Sequence, residues 1–283
     1  MNNYLKSILL LFILGITVTG FSQSNIPYGD NKIAGKYILL NGVNHYYEVY
    51  GSGKPLLLIH GNSTATKGWA PQIAYFSKKY TVYAIDCRGR GKSELGRDSL
   101  TYMQQARDMK AFMDQLKLDS VSVVGKSDGG IIAILLAIYF PDRIKKIVAF
   151  SANMEPDTNA LYPYSVSEMH EERVKADQML AARDASKNWL IEQQRYRMME
   201  FQPHITAADL RSIKIPVLVM SCDRDVIKEE HTFFIYRNIP NANLCILPNE
   251  KHGLARLNPA LFNATVDAYL SAPFYGMEYR FSE

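Results

Sequence analysis

The residue pattern with the clearest chemical meaning is a serine placed between two glycines. Ser127 lies between Gly125 and Gly129, directly after the apolar run 121–124 and directly before the apolar run 131–136. This pattern predicts a strand, a sharp turn and a helix, because so tight a turn has no room for a Cβ at the flanking positions. Ser127 would then stand exposed at the end of the strand, where a nucleophile is needed.

A serine nucleophile needs a general base and an acid that orients it, and both residue types follow strands later in the chain. The apolar run 215–220 precedes Asp225, and the run 242–247 precedes a loop that contains His252. His252 would take the proton of Ser127 as the hydroxyl attacks a carbonyl. Asp225 would hold the imidazole in the correct tautomer and stabilise its charged form.

The negative charge that develops on the attacked carbonyl oxygen requires two backbone N–H donors. The turn supplies one from Asp128, the residue after the nucleophile, and a loop after an earlier strand must supply the other. The apolar run 55–59 ends in His60, Gly61 and Asn62, and we choose Asn62 as the second donor. His60 is interpreted as a buried residue that braces this loop, because one histidine is sufficient for proton transfer.

The chain order of serine, aspartate and histidine, each on a loop after a successive strand, resembles the α/β-hydrolase family. The resemblance runs from about His45 to about Leu270 and includes a D-x-R-G-x-G-x-S turn over residues 86–93. In this turn we expect Arg88 and Asp86 to tie the loop to the sheet. The resemblance implies an α/β fold with a mostly parallel central sheet, helices on both faces and an inserted helical cap.

For the site, the resemblance implies a triad of Ser127, Asp225 and His252. Asp223 is a competing acid, but in similar sequences the acid is the fourth residue of a small-x-x-Asp pattern, which here begins at Cys222. The implied activity is serine hydrolysis of a small-molecule carboxylic ester through an acyl-enzyme intermediate, without a cofactor or a metal. Amide hydrolysis, carbon–carbon cleavage of activated diketones and non-hydrolytic ligand binding stay open on the same fold.

The residue pattern after position 150 changes from buried strands to long charged and amphipathic stretches. We therefore expect residues 23–150 and 211–283 to form the hydrolase core and residues 151–210 to form the cap. Two cap helices are predicted over residues 168–183 and 185–201.

Large apolar side chains near the expected site are candidates for substrate binding. Trp189 and Met198 lie in the second predicted cap helix. Trp69 follows the loop that begins with His60, Gly61 and Asn62, which we refer to as the oxyanion loop. They could form an acyl or aromatic surface, or they could pack the cap and the loop against the core. Asp128 also has two interpretations: a local hydrogen bond at the helix start, or an acidic spot that attracts a cationic substrate group.

The composition is that of an ordinary globular protein. The chain has 283 residues, of which 47% are hydrophobic and 21% are charged, and its formal net charge is +4. It contains no basic run and no zinc-finger cysteine pairs, so we do not expect a nucleic-acid partner. Its three cysteines are an odd number and do not predict a disulfide framework.

The N-terminus is typical of an exported protein. Lys6 precedes the apolar run 8–16, and small or polar residues continue to Ser22. An apolar core of this length is short for a membrane span, and the pattern predicts a signal peptide over residues 1–22. We expect a periplasmic or secreted mature chain that begins near Gln23 and has no stable membrane span; an uncleaved N-terminal anchor is the alternative. The oligomeric state stays open.

Overall fold

The computed structural model describes residues 26–275, and eight strands in this range form one sheet. The predicted signal peptide over residues 1–22 lies outside the described residues. The strands are β1 (Gly35–Leu40), β2 (Val43–Tyr50), β3 (Lys54–Ile59), β4 (Tyr80–Ile85), β5 (Val121–Lys126), β6 (Ile144–Phe150), β7 (Val217–Arg224) and β8 (Ala242–Lys251). Their order in the sheet is β1-β2-β4-β3-β5-β6-β7-β8. Both pairings of β2 are antiparallel and the other five are parallel, which confirms the predicted fold class.

Helices pack on both faces of this sheet. Within residues 26–275 they are α1 (Ala70–Phe76), α2 (Tyr102–Gln115), α3 (Asp128–Tyr139), α4 (Pro163–Ala181), α5 (Trp189–Phe201), α6 (Ala207–Ser212), α7 (Glu229–Asn238), α8 (Leu254–Leu257) and α9 (Pro259–Ser271). One hydrophobic cluster includes side chains of α2 and α3, and a second includes side chains of α1 and α9. No helix in the described range has the length and apolar character that crossing a membrane requires.

The central strands are continuous apolar runs because both faces of the sheet are covered. In β3, Leu56, Leu57, Leu58 and Ile59 are all fully buried. Successive side chains of a strand point to opposite faces, so Leu57 and Ile59 enter the cluster beside α2 and α3, whereas Leu56 and Leu58 enter the cluster beside α1 and α9. Every residue of such a run therefore adds apolar burial that holds the following loop in place.

The cap consists of α4 and α5, which pack against each other. The first cap helix begins at Pro163, five residues before the predicted start, because proline is well accommodated in the first turn of a helix. The second begins at Trp189, and the Asn188 side chain accepts a hydrogen bond from the Ile191 amide at its N-terminus. The predicted cap boundary at residue 210 falls inside α6, a helix that packs on α3 and α7 of the core.

Arg88 and Asp86 both anchor the loop after β4, as the sequence analysis expects, but they anchor it to α2 and to the loop after β3 rather than to the sheet itself. Arg88 makes a bidentate ion pair with Asp108 of α2. Asp86 instead accepts hydrogen bonds from the backbone amides of Thr66, at 2.7 Å, and Lys92, at 2.9 Å. A planar guanidinium matches a carboxylate that can accept two parallel hydrogen bonds, and both oxygens of Asp86 already have backbone donors.

Candidate active site

The turn around Ser127 has the strained backbone that the sequence predicts. Ser127 has φ 54° and ψ −121° between β5 and α3, a conformation that costs a non-glycine residue about 1–3 kcal/mol. A Cβ at Gly125 would lie 2.1 Å from the carbonyl oxygen of Gly129, and a Cβ at Gly129 would lie 2.0 Å from that of Ile59. The two glycines are therefore required by close backbone approach, and they allow the serine to stand at the sheet edge.

Ser127, Asp225 and His252 all follow the carboxyl ends of parallel strands, and this topology brings them together. His252 Nδ1 lies 2.7 Å from Asp225 Oδ1. Ser127 and His252 line the same cavity. No hydrogen bond joins the Ser127 hydroxyl to His252 within the described residues, which is common before a substrate aligns the two groups. The arrangement can therefore supply a nucleophile, a base and an orienting acid.

Asp225 is ionised and firmly held. Burial alone would raise its pKa, but hydrogen bonds from His252, Ser151 and the backbone outweigh burial and hold the pKa of Asp225 below its ordinary value. Its Oδ2 accepts from Ser151 Oγ at 2.5 Å and Ser221 Oγ at 3.2 Å, and its Oδ1 accepts from the amides of Val226 at 2.7 Å and Ile227 at 3.3 Å. A buried carboxylate oxygen of Asp223, by contrast, has no hydrogen-bond partner among residues 26–275.

The oxyanion loop is braced by His60, as the sequence analysis expected. His60 Nδ1 donates to the Gly61 carbonyl at 2.8 Å, and the Cys87 amide donates to His60 Nε2 at 3.0 Å. Burial lowers the pKa of His60 to about 4, so the ring stays neutral, as this pair of hydrogen bonds requires. Because the C=O and N–H of a trans peptide point in opposite directions, the contact with Gly61 also fixes the direction of the Asn62 N–H.

Two arginines that the sequence analysis did not identify hold Asn62. Arg90 Nε donates to the Asn62 backbone carbonyl at 2.6 Å, and Arg195 Nε of α5 donates to Asn62 Oδ1 at 2.8 Å. Arg90 belongs to the glycine-rich turn after β4, and this motif is the one sequence feature that could have indicated its place at the site. The cap residue Arg195 has no such signal, because its partner is 133 positions away in the chain. The cap and the core thus meet at the predicted oxyanion donor.

The Asp128 side chain bonds to the neighbouring helix α2 rather than locally at the start of α3. Its Oδ1 accepts a hydrogen bond from the Tyr102 hydroxyl at 2.9 Å. Burial raises the pKa of Asp128, and Arg90 and Tyr102 act against this rise. The carboxylate is thus enclosed by protein groups and held by α2, which favours a structural role over attraction of a cationic substrate group.

The catalytic cavity has a volume of about 230 Å³ and two chemically different walls. One wall is polar and includes the oxyanion loop, Tyr102 and Arg195. The other is apolar and is formed by Leu161, Met169, Met199, Val226 and Ile227. An antiparallel bridge between Leu161 and Ile227 joins the segment before the cap to the segment after Asp225. A small substrate with an apolar portion fits these two walls.

The structure does not bring Trp69, Trp189 or Met198 to this cavity. None of these three candidates for substrate binding lines it. Trp69 is 2% exposed and packs on Phe262. Trp189 is 6% exposed and its indole N–H donates to Asp184 at 2.7 Å. Met198 is 1% exposed and belongs to the core cluster beside α2 and α3. From α5, the cavity is reached by Arg195, Tyr196 and Met199, which share one helix face.

Met199→Ala should shift the acyl-chain preference, because it removes part of the apolar wall. We expect the ratio of kcat/KM for octanoyl over butyryl esters to rise by about 3–10-fold, as expected for a pocket that gains room for a few methylenes. Steady-state kinetics on p-nitrophenyl esters measures this ratio. Trp189→Ala is the matched control on the same helix and should leave the ratio unchanged. A shift in Trp189→Ala without one in Met199→Ala would contradict the lining given above.

Comparison with known proteins agrees with this geometry. A family model described as the alpha/beta hydrolase fold matches residues 54–202, and the chain belongs to this family. It is 27% identical over 250 residues to the serine hydrolase BPHL of Mus musculus, covering 82% of this chain and 85% of that protein. It is 33% identical over 118 residues to an (E)-2-((N-methylformamido)methylene)succinate hydrolase of Acinetobacter baylyi, covering 39% of this chain and 42% of that protein. An esterase structure from Exiguobacterium antarcticum superposes with a TM-score of 0.74 at 21% identity, covering 84% of this chain and all of that one, and supports the fold.

Proposed function

We propose that this protein is a serine hydrolase that cleaves a small-molecule carboxylic ester through an acyl-enzyme intermediate. The observation that carries the proposal is the strained turn that presents Ser127 to a cavity also lined by His252. His252 in turn is hydrogen-bonded to a buried, ionised Asp225. The hydrolase names of the curated relatives support the reaction class.

The reaction would begin with attack of Ser127 Oγ on the ester carbonyl carbon as His252 Nε2 takes the hydroxyl proton. The amides of Asn62 and Asp128 would stabilise the oxyanion of the tetrahedral intermediate. Collapse of this intermediate breaks the bond to the alcohol, which leaves with the proton from His252. Water, deprotonated by the same histidine, then attacks the acyl-enzyme and releases the acid.

Two features favour a small ester over other substrates. The cavity of about 230 Å³ lies beneath the cap, which suits a compact soluble substrate better than an emulsified lipid. Serine in place of aspartate at the turn disfavours epoxide opening and dehalogenation, because an alkyl-enzyme route needs a carboxylate nucleophile.

A panel of p-nitrophenyl acyl esters of graded length tests the proposal. The wild-type protein should turn over short and medium acyl esters many times per active site, with saturation in substrate concentration. Faster turnover of anilides or of activated diketones would move the assignment to amide or carbon–carbon hydrolysis. Saturable binding with no multiple turnover of any of these substrates would identify a ligand-binding protein instead.

We also propose that residues 1–22 direct export and are then removed. The support is the charge and hydropathy pattern of the sequence itself. N-terminal sequencing of the protein recovered from the periplasm or medium should give a first residue at or near Gln23. Recovery of a membrane-bound chain that still begins at Met1 would indicate an uncleaved anchor.

A further inference from the structure

A second cavity adjoins the catalytic cavity on the side of the oxyanion loop. It has a volume of about 630 Å³ and shares Asn62, Ser63, Thr64 and Arg195 with the catalytic cavity. The loop after β4 contributes Arg90, and α5 contributes further lining residues from the cap. We refer to this second cavity as the vestibule, because the lining residues that the two cavities share place it directly beside the cavity that contains Ser127.

The vestibule is strongly cationic. Four cations line it, namely Lys67, Arg90, Arg195 and Arg256, together with a single carboxylate, Glu192. That carboxylate is already engaged, because both of its oxygens accept from Arg195 Nη1, at 2.8 and 2.9 Å, and Lys187 lies 3.8 Å away.

Three of the four cations lack a carboxylate partner. None of Lys67, Arg90 and Arg256 forms a salt bridge with another residue of the described range 26–275. Arg90 is also 7% exposed. Its Nε donates to the backbone carbonyl of Asn62, and Asp128 is the acidic side chain that acts on it through space. Burying a guanidinium without a direct counter-ion is costly, so a purely structural arginine would normally pair as Arg88 does with Asp108.

We infer that the vestibule binds an anionic group, of the carboxylate class, that belongs to the substrate of Ser127. This inference rests on the proposed function, which it deepens by naming the substrate class. The apolar wall of the catalytic cavity would hold the uncharged portion of the substrate. In the vestibule, the anionic group of the substrate would neutralise the positive charge of Arg90 and its neighbours. Convergent cations beside the catalytic cavity also raise the local concentration of an anionic substrate and its association rate.

Two matched pairs of esters test the charge preference and identify the portion that carries the anion. Monoethyl adipate and ethyl hexanoate differ on the acyl side, and 4-acetoxybenzoate and 4-methylphenyl acetate differ on the alcohol side. In each pair a carboxylate replaces a methyl group. We expect the anionic member of one pair to have a kcat/KM at least about tenfold higher at low ionic strength, and the preference to shrink in 0.5 M NaCl as screening increases.

Variants locate the preference in the vestibule. The double variant Lys67→Gln/Arg256→Gln removes two exposed cations and should lower the anionic-to-neutral ratio of kcat/KM by about tenfold. Arg197→Gln is the matched control, because Arg197 is an exposed cation of α5 that does not line either cavity. It should retain the wild-type ratio. A neutral preference in both pairs, or an equal loss in the double variant and in Arg197→Gln, would overturn the inference.

Equilibrium binding to Ser127→Ala separates this inference from the proposed reaction. Monoethyl adipate should bind at least about tenfold more tightly than ethyl hexanoate, or 4-acetoxybenzoate more tightly than 4-methylphenyl acetate, and Lys67→Gln/Arg256→Gln should remove the difference. If no ester is hydrolysed but this difference is present, the proposed function fails and the anion site stands. Equal binding within both pairs refutes the anion site even in an active esterase.

Discussion

Ser127→Ala is expected to lower the kcat for ester hydrolysis by on the order of 10³-fold or more, because acylation requires the hydroxyl. The fold should be unaffected. Alanine keeps the Cβ that the strained turn already accommodates, and no residue of the described chain forms a hydrogen bond with the Ser127 hydroxyl. The free energy of unfolding should therefore change by less than about 0.5 kcal/mol.

Active-site titration with a fluorophosphonate probe checks the same assignment independently of turnover. The probe should label Ser127 stoichiometrically in the wild-type protein and leave the Ser127→Ala protein unlabelled. Ser165→Ala is the matched control, because Ser165 lines the same cavity without lying on a strained turn. Labelling of a different serine, or wild-type kcat in Ser127→Ala, would remove Ser127 from the mechanism.

The parts of the fold that were predictable from the sequence are those in which local pattern and global packing agree. Continuous apolar runs predicted the buried parallel strands β3 and β5, since both faces of each strand meet a hydrophobic cluster. The glycines around Ser127 predicted the sharp turn, because backbone atoms occupy the space that a Cβ would need. Each of these signals is a property of a few consecutive residues.

The cap could not be predicted to the same depth, because its contacts depend on helix rotation. Met198 and Met199 are adjacent and chemically identical, yet Met198 is buried in the core and Met199 lines the cavity. Successive helix residues are about 100° apart, so a small error in the assumed rotation exchanges their roles. Trp189 illustrates a second limit, since its partner Asp184 lies in the turn between the two cap helices.

Polar contacts of charged side chains with residues far away in the sequence could also not be predicted from the sequence pattern. Arg88 has Asp86 two positions away, but it pairs with Asp108 of α2. The oxygens of Asp86 instead accept hydrogen bonds from the backbone amides of two loops. The contact between Arg195 and Asn62 similarly exists only because α5 of the cap lies over the oxyanion loop. These contacts follow from tertiary structure, and they set the electrostatic character of the site.

Asp225→Asn should lower kcat at neutral pH by about 10²–10⁴-fold, because it removes the charge that stabilises the protonated histidine. The local hydrogen bonds predict that the asparagine keeps the geometry. Its carbonyl oxygen would remain toward His252, because the Val226 amide donates at that position. Its NH₂ group would face Ser151 and Ser221, whose hydroxyls can rotate to accept. The loss would therefore be electrostatic, with little change in stability.

Asp223→Asn is the matched control for the position of the acid. Asp223 is two residues away and is not hydrogen-bonded to His252, so its variant should retain kcat within about tenfold of wild type. Steady-state kinetics and thermal unfolding on both variants separate lost catalysis from lost folding. A larger kcat loss in Asp223→Asn than in Asp225→Asn, at equal stability, would transfer the acid to Asp223. It would also mean that His252 changes its partner during turnover, because the 2.7 Å contact of the resting site belongs to Asp225.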